Sequence, residues 1–180
     1  MSPILVRMNS REDLSPGRRA ALYGVLVAAA LVCGYLELLI PLPVTVAGIK
    51  LGLGNAIVLI ALDRLGAKAG FLIMIFKVLA SALLFANLQM LAFSLAGGVL
   101  SWAVMEAAVQ SGLFSTIATS VLGGISHNAG QLVAVAVLLS SHVALVNVPV
   151  LAVAGTLCGL ATGIVAQLVL RAIPPEAFHG

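Results

Sequence analysis

Residues 47–62 read AGIKLGLGNAIVLIAL, an apolar run in which one lysine, Lys50, stands among glycines. The rest of the 180-residue chain has the same character, since 62% of its residues are hydrophobic and 8% are charged. A mean hydropathy of +1.19 excludes a soluble domain with an apolar core and a polar surface. The sequence therefore predicts an integral membrane protein.

Successive apolar runs, several of them near the roughly 20 residues that cross a bilayer, predict six transmembrane helices. The runs lack the alternation of a membrane barrel, so the predicted fold class is an all-α bundle. The helices are expected at 20–40, 46–62, 67–86, 90–109, about 117–139 and 150–172. The fifth helix is the least regular, because a break at Gly123 and Gly124 would also fit its sequence.

Basic residues indicate the orientation, since short cytoplasmic loops collect Lys and Arg. They precede the first helix, lie between the second and third, and close the sixth: Arg7, Arg11, Arg18, Arg19, Arg64, Lys68 and Arg171. Both termini are therefore expected in the cytoplasm. The predicted organisation is a cytoplasmic segment 1–19, a transmembrane domain 20–173 and a tail 174–180. No removable signal is evident in residues 1–19, so the first helix is expected to anchor the protein in the inner (cytoplasmic) membrane.

Two lysines, Lys50 and Lys77, fall inside predicted helices. A cation there costs several kcal/mol unless it meets water, a counter-ion or a ligand, so both are candidates for function. The structural alternative for Lys50 is snorkelling to the outer interface, paired with Glu37. The alternative for Lys77 is an ion pair with Glu106, which is expected to lie about 9 Å nearer the cytoplasm.

Residues 123–132, GGISHNAGQL, place polar side chains near the middle of the fifth helix. His127 and Gln131 are four residues apart and share a face, and Asn128 lies beside them. Two interpretations stay open, namely a hydrogen-bonded seam to neighbouring helices and a set of contacts to water or substrate. No second His or Cys stands at ligand spacing from His127, so no metal site is predicted.

Glycines around Lys50 remove side chains where a ligand or a backbone can come close: Gly48, Gly52 and Gly54. The same place is the predicted outer end of helix two, whose free N–H groups and positive dipole end suit an anion. The spacing differs from a nucleotide-hydrolysing phosphate loop, since Gly-Lys-Ser/Thr is absent. The pattern therefore indicates binding of an anionic group without ATP hydrolysis by this chain.

Two ridges of small residues are predicted to be helix-packing surfaces. One ridge, on the sixth helix, consists of Gly155, Gly159 and Gly163. The other, on the cytoplasmic half of the first helix, consists of Ala20, Gly24 and Ala28. Packing within the bundle is the simplest interpretation of each ridge taken alone.

Four motifs resemble those of the Gx transporter family, which also carries the label heptaprenyl diphosphate synthase component I. They are ELLIPLP at 37–43, GIKLGL at 48–53 with Asn55, SLAGG at 94–98 and HNAGQ at 127–131. The family is similar to the S components of energy-coupling factor transporters, six-helix proteins that bind vitamins and dock on a shared transmembrane and ATPase module. The resemblance further implies a link with flavins.

The resemblance implies substrate-binding roles for the positions that match these motifs: Lys50, Asn55, His127, Asn128 and Gln131. Lys77 joins the predicted site because of its depth in the membrane. The ridge of Ala20, Gly24 and Ala28 falls where S components carry the small-residue motif that meets the coupling subunit, which makes these the expected partner-binding residues. The chain departs from the family on this ridge, where Gly24 stands in place of the usual alanine and leaves the partner less defined. It also departs where Ala47 replaces proline and Gly54 replaces alanine, which predicts a looser turn into helix two.

Three functions are compatible with these observations. The first is a transporter or S-component-like binder of a small, anionic, vitamin-derived solute, with a flavin (riboflavin, FMN or FAD) as the favoured ligand and Phe76, Phe93 or Trp102 as stacking residues. The second is a non-catalytic membrane subunit of a prenyl diphosphate synthase, because no Asp-rich motif is present to hold Mg²⁺. The third is a structural subunit of a redox complex. No enzymatic activity, metal or nucleic-acid partner is predicted.

Overall fold

The computed structural model describes residues 15–39, 52–85 and 88–174. All regular secondary structure within these ranges is α-helical, which confirms the predicted all-α class. Six helices follow one another along this part of the chain: α1 (Pro16–Leu38), α2 (Asn55–Leu65), α3 (Ala67–Phe85), α4 (Leu88–Ser111), α5 (Thr116–Leu138) and α6 (Ser141–Ala172).

Five of these helices are long and apolar enough to cross a membrane, so the chain is a multi-pass membrane protein. The exception is α2, whose 11 residues extend about 16 Å at 1.5 Å per residue. That length is roughly half of the hydrocarbon layer. Six full crossings are therefore not confirmed, because α2 is a half-length helix.

The predicted helix at 46–62 is wrong over residues 52–54, which form a turn, and the helix begins at Asn55. Gly52 has a φ of +86°, in the left-handed region that favours glycine. The N–H of Asn55 donates to the carbonyl of Gly52 at 2.8 Å, and that of Ala56 donates to Leu53 at 3.1 Å. Lys50 and the side chain of Glu37 lie outside the described part of the structure.

The remaining helix boundaries agree with the prediction, except at α6. The helix α5 runs unbroken through Gly123 and Gly124. The helix α6 begins at Ser141, not at 150, and includes Pro149. Proline removes one hydrogen bond from the helix interior, but a membrane helix tolerates that loss where neighbouring helices surround it.

The backbones of α5 and α6 pack in direct contact, which confirms the packing role predicted for the ridge on the sixth helix. A Cβ atom added to Gly159 would lie 2.7 Å from Cα of Val121, and one added to Gly163 would lie 2.9 Å from Cα of Ile117. Real Cβ atoms do not approach backbone so closely. Glycine at these positions therefore sets the distance between the two helices.

The short helix α2 lies at the centre of the bundle and contacts each of the other five helices. Its side chains are buried on all sides, as Leu59 and Leu62 illustrate. They form an apolar cluster with residues of α3, α4 and α6: Val58, Leu59, Ile60, Leu62, Met74, Val78, Met105 and Ala166. By contrast, α1 packs mainly against α2 and α3, and much of its surface is exposed.

Candidate functional site

A chain of hydrogen bonds joins four helices at the N-terminal end of α2. The Lys77 Nζ donates to Asn55 Oδ1 at 3.1 Å, and Asn55 Nδ2 donates to Ser101 Oγ at 3.1 Å. The Ser101 hydroxyl donates in turn to the carbonyl of Gly123 at 2.9 Å. Because Asn55 and Ser101 are buried, these bonds fix the start of α2 relative to α3, α4 and α5.

These hydrogen bonds lie about halfway through the membrane-spanning bundle. Lys77 is ten residues, or about 15 Å, from Ala67 at the start of α3. Asn55 is likewise ten residues from Leu65 at the end of α2. The positive dipole end of α2 is thus placed beside the Lys77 ammonium at mid-depth, not at the outer surface where the sequence suggested it.

The turn before α2 is packed tightly between neighbouring side chains. A Cβ atom on Gly54 would lie 3.0 Å from Cδ of Lys77 and 3.2 Å from the carbonyl oxygen of Ala30. One on Gly52 would lie 3.2 Å from Cδ2 of His127. The glycine at position 54 therefore leaves room for the Lys77 side chain.

Lys77 and His127 line the same small cleft between α1, α3, α4 and α5. The other residues along it are Ala30, Leu31, Gly34, Gly52, Val78, Ser81 and Ser94. Its volume is about 20 Å³, which holds about one water molecule. In this conformation the cleft admits no ligand as large as a flavin ring.

His127 and Gln131 form a hydrogen-bonded pair inside the bundle. The His127 Nε2 and the Gln131 Nε2 lie 2.9 Å apart, and both residues are buried. An amide nitrogen donates and cannot accept, so with the amide in this orientation the imidazole accepts at Nε2. The bond holds the His127 ring against Gln131, one turn along α5.

Gly97, in the motif SLAGG, makes the His127–Gln131 pair possible. A Cβ atom on Gly97 would lie 2.7 Å from the carbonyl oxygen of His127 and 3.0 Å from Cγ of Gln131. On the facing helix, one on Gly130 would lie 2.5 Å from the carbonyl oxygen of Ala96. The glycines of the two motifs therefore let α4 and α5 touch beside the cleft.

A sequence model of one protein family, described as heptaprenyl diphosphate synthase component I, matches residues 26–169. The chain belongs to this family. The matched region contains α2 to α5 and every residue of the cleft, so the site lies within the part shared with the component I family. No curated protein and no solved structure matches the chain.

The component I description names one component of a synthase, and the helices place this component in a membrane. Among the described residues, no group of three or more His, Cys, Asp or Glu side chains could hold a metal ion. The family description and the helices together indicate a membrane-associated component.

Asn128 faces α6, away from the Lys77 cleft of this component I protein. Its Nδ2 donates to the carbonyl of Leu151 at 2.7 Å, and its side chain is 2% exposed. Its Oδ1 is buried and has no hydrogen-bond partner among the described residues. Of the predicted binding residues, the structure therefore brings together Asn55, Lys77 and His127, with Gln131 bonded to His127 and Asn128 apart.

The alternative prediction for Lys77, an ion pair with Glu106, is wrong. The Glu106 Oε1 accepts from Nε2 of Gln110 at 2.6 Å, one turn along the same helix, and its Oε2 has no hydrogen-bond partner in the described part of the chain. The depth difference expected from the sequence explains this result, because Glu106 lies below Lys77 on a different helix.

The predicted stacking residues do not line the cleft. Trp102 packs edge-on against Phe71 at 4.9 Å between ring centroids and donates to the carbonyl of Ala67 at 3.2 Å. Phe93 is fully buried in a separate apolar cluster, and Phe76 is 53% exposed on the outside of the bundle. None of the three is placed to stack on a ligand beside Lys77.

Sequence reasoning missed three serines of the site, Ser81, Ser94 and Ser101. All three are buried; Ser81 and Ser94 line the cleft with the lysine and the histidine, and Ser101 accepts a hydrogen bond from Asn55. Serine is a weak signal in an apolar helix, because its hydroxyl can bond to the carbonyl one turn earlier without any functional role. Only the depth that they share with Lys77 would have singled them out.

The ridge of Ala20, Gly24 and Ala28 is exposed on the outside of α1. A Cβ atom on Gly24 would have no heavy atom of the described chain within 4 Å. Packing within the bundle is therefore the wrong interpretation of this ridge, at least for the described helices. The surface faces lipid or a partner protein.

Proposed function

We propose that this component I protein binds a small anionic solute at Lys77, halfway across the inner membrane. The observation that carries the proposal is the contact between the Lys77 ammonium and the first residue of α2, a helix that begins inside the membrane. A fixed cation and a positive helix end at one point attract an anion, more strongly in surroundings of low dielectric constant. Helices that end near the midplane are typical of transporter binding sites.

The other polar residues complete the proposed site. Asn55 holds the Lys77 ammonium in place by accepting its hydrogen bond. The hydroxyls of Ser81 and Ser94 line the cleft and supply donors for anionic oxygens. Gln131 orients His127. Lys50, five residues before Asn55 in the sequence, is proposed as a second cation for the same anion.

The proposed solute class is phosphorylated and vitamin-derived, with FMN or FAD as the leading candidates. The phosphate would occupy the position beside Lys77. A flavin ring requires the cleft to widen well beyond its present 20 Å³, so binding is expected to be coupled to movement of the turn at Gly52–Gly54. The exposed ridge at Ala20, Gly24 and Ala28 is the proposed contact for an energy-coupling transmembrane subunit and its ATPase.

The test is a titration of riboflavin, FMN and FAD into detergent-purified protein, compared with Lys77→Gln and with Lys68→Gln as the control. Lys68 is exposed near the start of α3 and lies far from the cleft. We expect Lys77→Gln to weaken FMN binding at least tenfold, riboflavin binding less, and Lys68→Gln to change neither. A folded wild type that binds none of the three would overturn the flavin assignment. Equal FMN binding by Lys77→Gln would overturn the role of the lysine.

The second candidate function is a non-catalytic membrane subunit of a prenyl diphosphate synthase. The family's description favours it. Such a subunit would anchor or regulate a soluble catalytic partner that carries the Mg²⁺-binding aspartates. Co-purification of a soluble prenyl synthase from the native membrane, with enzymatic activity that depends on this chain, would support it over solute binding.

A further inference from the structure

We propose that α2 is a plug that closes the path from the Lys77 site to the cytoplasm, and that Arg64 is the residue that keeps the plug closed. The inference rests on the proposed function, because it assigns a gate to the same site. It goes beyond that function by naming which element must move for a solute to leave on the cytoplasmic side.

The position of α2 makes it a plug. From Asn55 at mid-depth it runs to the end of the bundle that carries Arg64, Lys68 and Arg171, which is the end expected to face the cytoplasm. Along this length its side chains are packed on all sides in the apolar cluster described above. The helix therefore fills the centre of the bundle between the cleft and that end.

Two glycine joints leave α2 free to move as a rigid unit. At its start lies the turn with Gly52, whose φ is +86°, and at its end Gly66, whose φ is +88°, forms the whole connection to α3. Both conformations favour glycine. A swing of α2 about these two joints need not disturb the hydrogen bonds within α3.

Arg64 ties the lower end of α2 to the C-terminal end of α6. Its Nη2 donates to the carbonyl oxygen of Leu170 and, at 3.4 Å, to that of Ile173. The N–H that would bond to Leu170 inside a continuing helix belongs to residue 174, which is Pro174 and has none. The guanidinium thus satisfies a carbonyl that the helix itself leaves open, at the negative end of the helix dipole.

This carbonyl has no helical donor, and Arg64 is the side chain that donates to it. As long as the bond to Leu170 is made, the lower end of α2 stays in the bundle. Release of Arg64 would let α2 move at its cytoplasmic end, while the bonds of Asn55 to Lys77 and Ser101 hold its upper end.

The test measures access to the site from the cytoplasmic side, with no solute. Cys33 and Cys158 are replaced by serine, and Ser94→Cys supplies one thiol in the cleft beside Lys77. Inside-out vesicles are treated with a membrane-impermeant thiol reagent. The labelling rate is compared between the protein that keeps Arg64 and the variants Arg64→Leu, Arg64→Lys and Arg171→Leu. We expect Arg64→Leu to raise the labelling rate at least tenfold, Arg64→Lys to restore most of the protection, and the exposed Arg171→Leu to have no effect.

A second variant removes the latch but keeps a polar side chain at position 64. The amide nitrogen of Arg64→Gln ends two bonds short of the Nη atoms of arginine, so it does not span to the carbonyls of α6. We expect it to raise labelling in the same direction, also where Arg64→Leu fails to fold. Unchanged labelling in folded Arg64→Leu or in folded Arg64→Gln would overturn the inference. Since labelling needs no ligand and the flavin titration needs no gate, the two proposals fail in different experiments.

Discussion

The Lys77 Nζ lies 3.1 Å from Oδ1 of Asn55, the residue at which α2 begins. The Asn55 amide oxygen is an uncharged acceptor for this ammonium. Asn55→Asp would place a carboxylate there and neutralise the lysine. We expect the variant to remain folded and to bind FMN at least tenfold more weakly, measured by titration beside a thermal unfolding curve. Wild-type affinity in Asn55→Asp would contradict an anion site at Lys77.

Gly54→Ala tests the space that the lysine needs. The new methyl group would lie 3.0 Å from Cδ and 3.1 Å from Nζ of Lys77, so the side chain must shift. We expect a several-fold loss of anion affinity and a loss of stability of about 1 kcal/mol. Gly34→Ala is the matched control, because Gly34 lines the same cleft but an added Cβ has no heavy atom of the described chain within 4 Å. A similar loss of affinity in both variants would argue against a specific contact with the lysine.

Gly159→Ala tests the contact between α5 and α6. A methyl group 2.7 Å from Cα of Val121 forces the two backbones apart. The expected cost is roughly 1–3 kcal/mol of unfolding free energy, measured by chemical or thermal unfolding in detergent. Gly24→Ala, on the open face of α1, should be neutral or slightly stabilising, because alanine is the better helix former. Equal stability of the two variants would show that the α5–α6 contact is looser than described.

Gln131→Leu tests the hydrogen bond between Gln131 and His127. Removing the amide leaves a buried imidazole nitrogen without its present donor, which costs about 1–3 kcal/mol of stability. Gln110→Leu, at an exposed position on α4, should change stability by less than about 0.5 kcal/mol. The two melting temperatures, compared with that of the wild type, decide whether the His127–Gln131 bond contributes to stability.

Gly24→Leu tests the exposed ridge of α1. The leucine side chain points away from the described helices, so we expect stability and FMN affinity to remain unchanged. If an energy-coupling subunit docks on this ridge, its recovery with the tagged protein from solubilised membranes should fall at least fivefold. Unchanged recovery of the energy-coupling subunit would show that it docks elsewhere on the protein or not at all.

Most of the fold could be predicted, because a long apolar helix is recognised directly from the hydropathy of its sequence. The start of α2 could not, since residues 46–54 are nearly as apolar as residues 55–62. The left-handed backbone conformation of Gly52 keeps the helix from starting earlier, and hydropathy carries no information on φ. The predicted start of α6 was also wrong, because the structure has helix on both sides of a proline. Pro149 is a strong signal for a helix end, but in a membrane bundle the helix continues through it.

The candidate site was predictable in part. Lys77 stands out in any sequence of this composition, because a cation in an apolar helix has few structural explanations. Its contact with Asn55 was not predictable, since it depends on where α2 begins. Asn128 was predicted together with His127, but adjacent residues on a helix point about 100° apart, and here the two face different neighbours.

The half-length of α2 also has an electrical consequence. An anion that reaches Lys77 from outside has crossed roughly half of the membrane potential. Because the cytoplasmic side of an energised membrane is negative, the potential opposes this movement. At 100 mV this opposes binding by about 1 kcal/mol for each negative charge, half of the cost of a full crossing. A dianionic phosphate would therefore bind more tightly to de-energised vesicles than to energised ones, and collapse of the membrane potential would itself favour loading of the site.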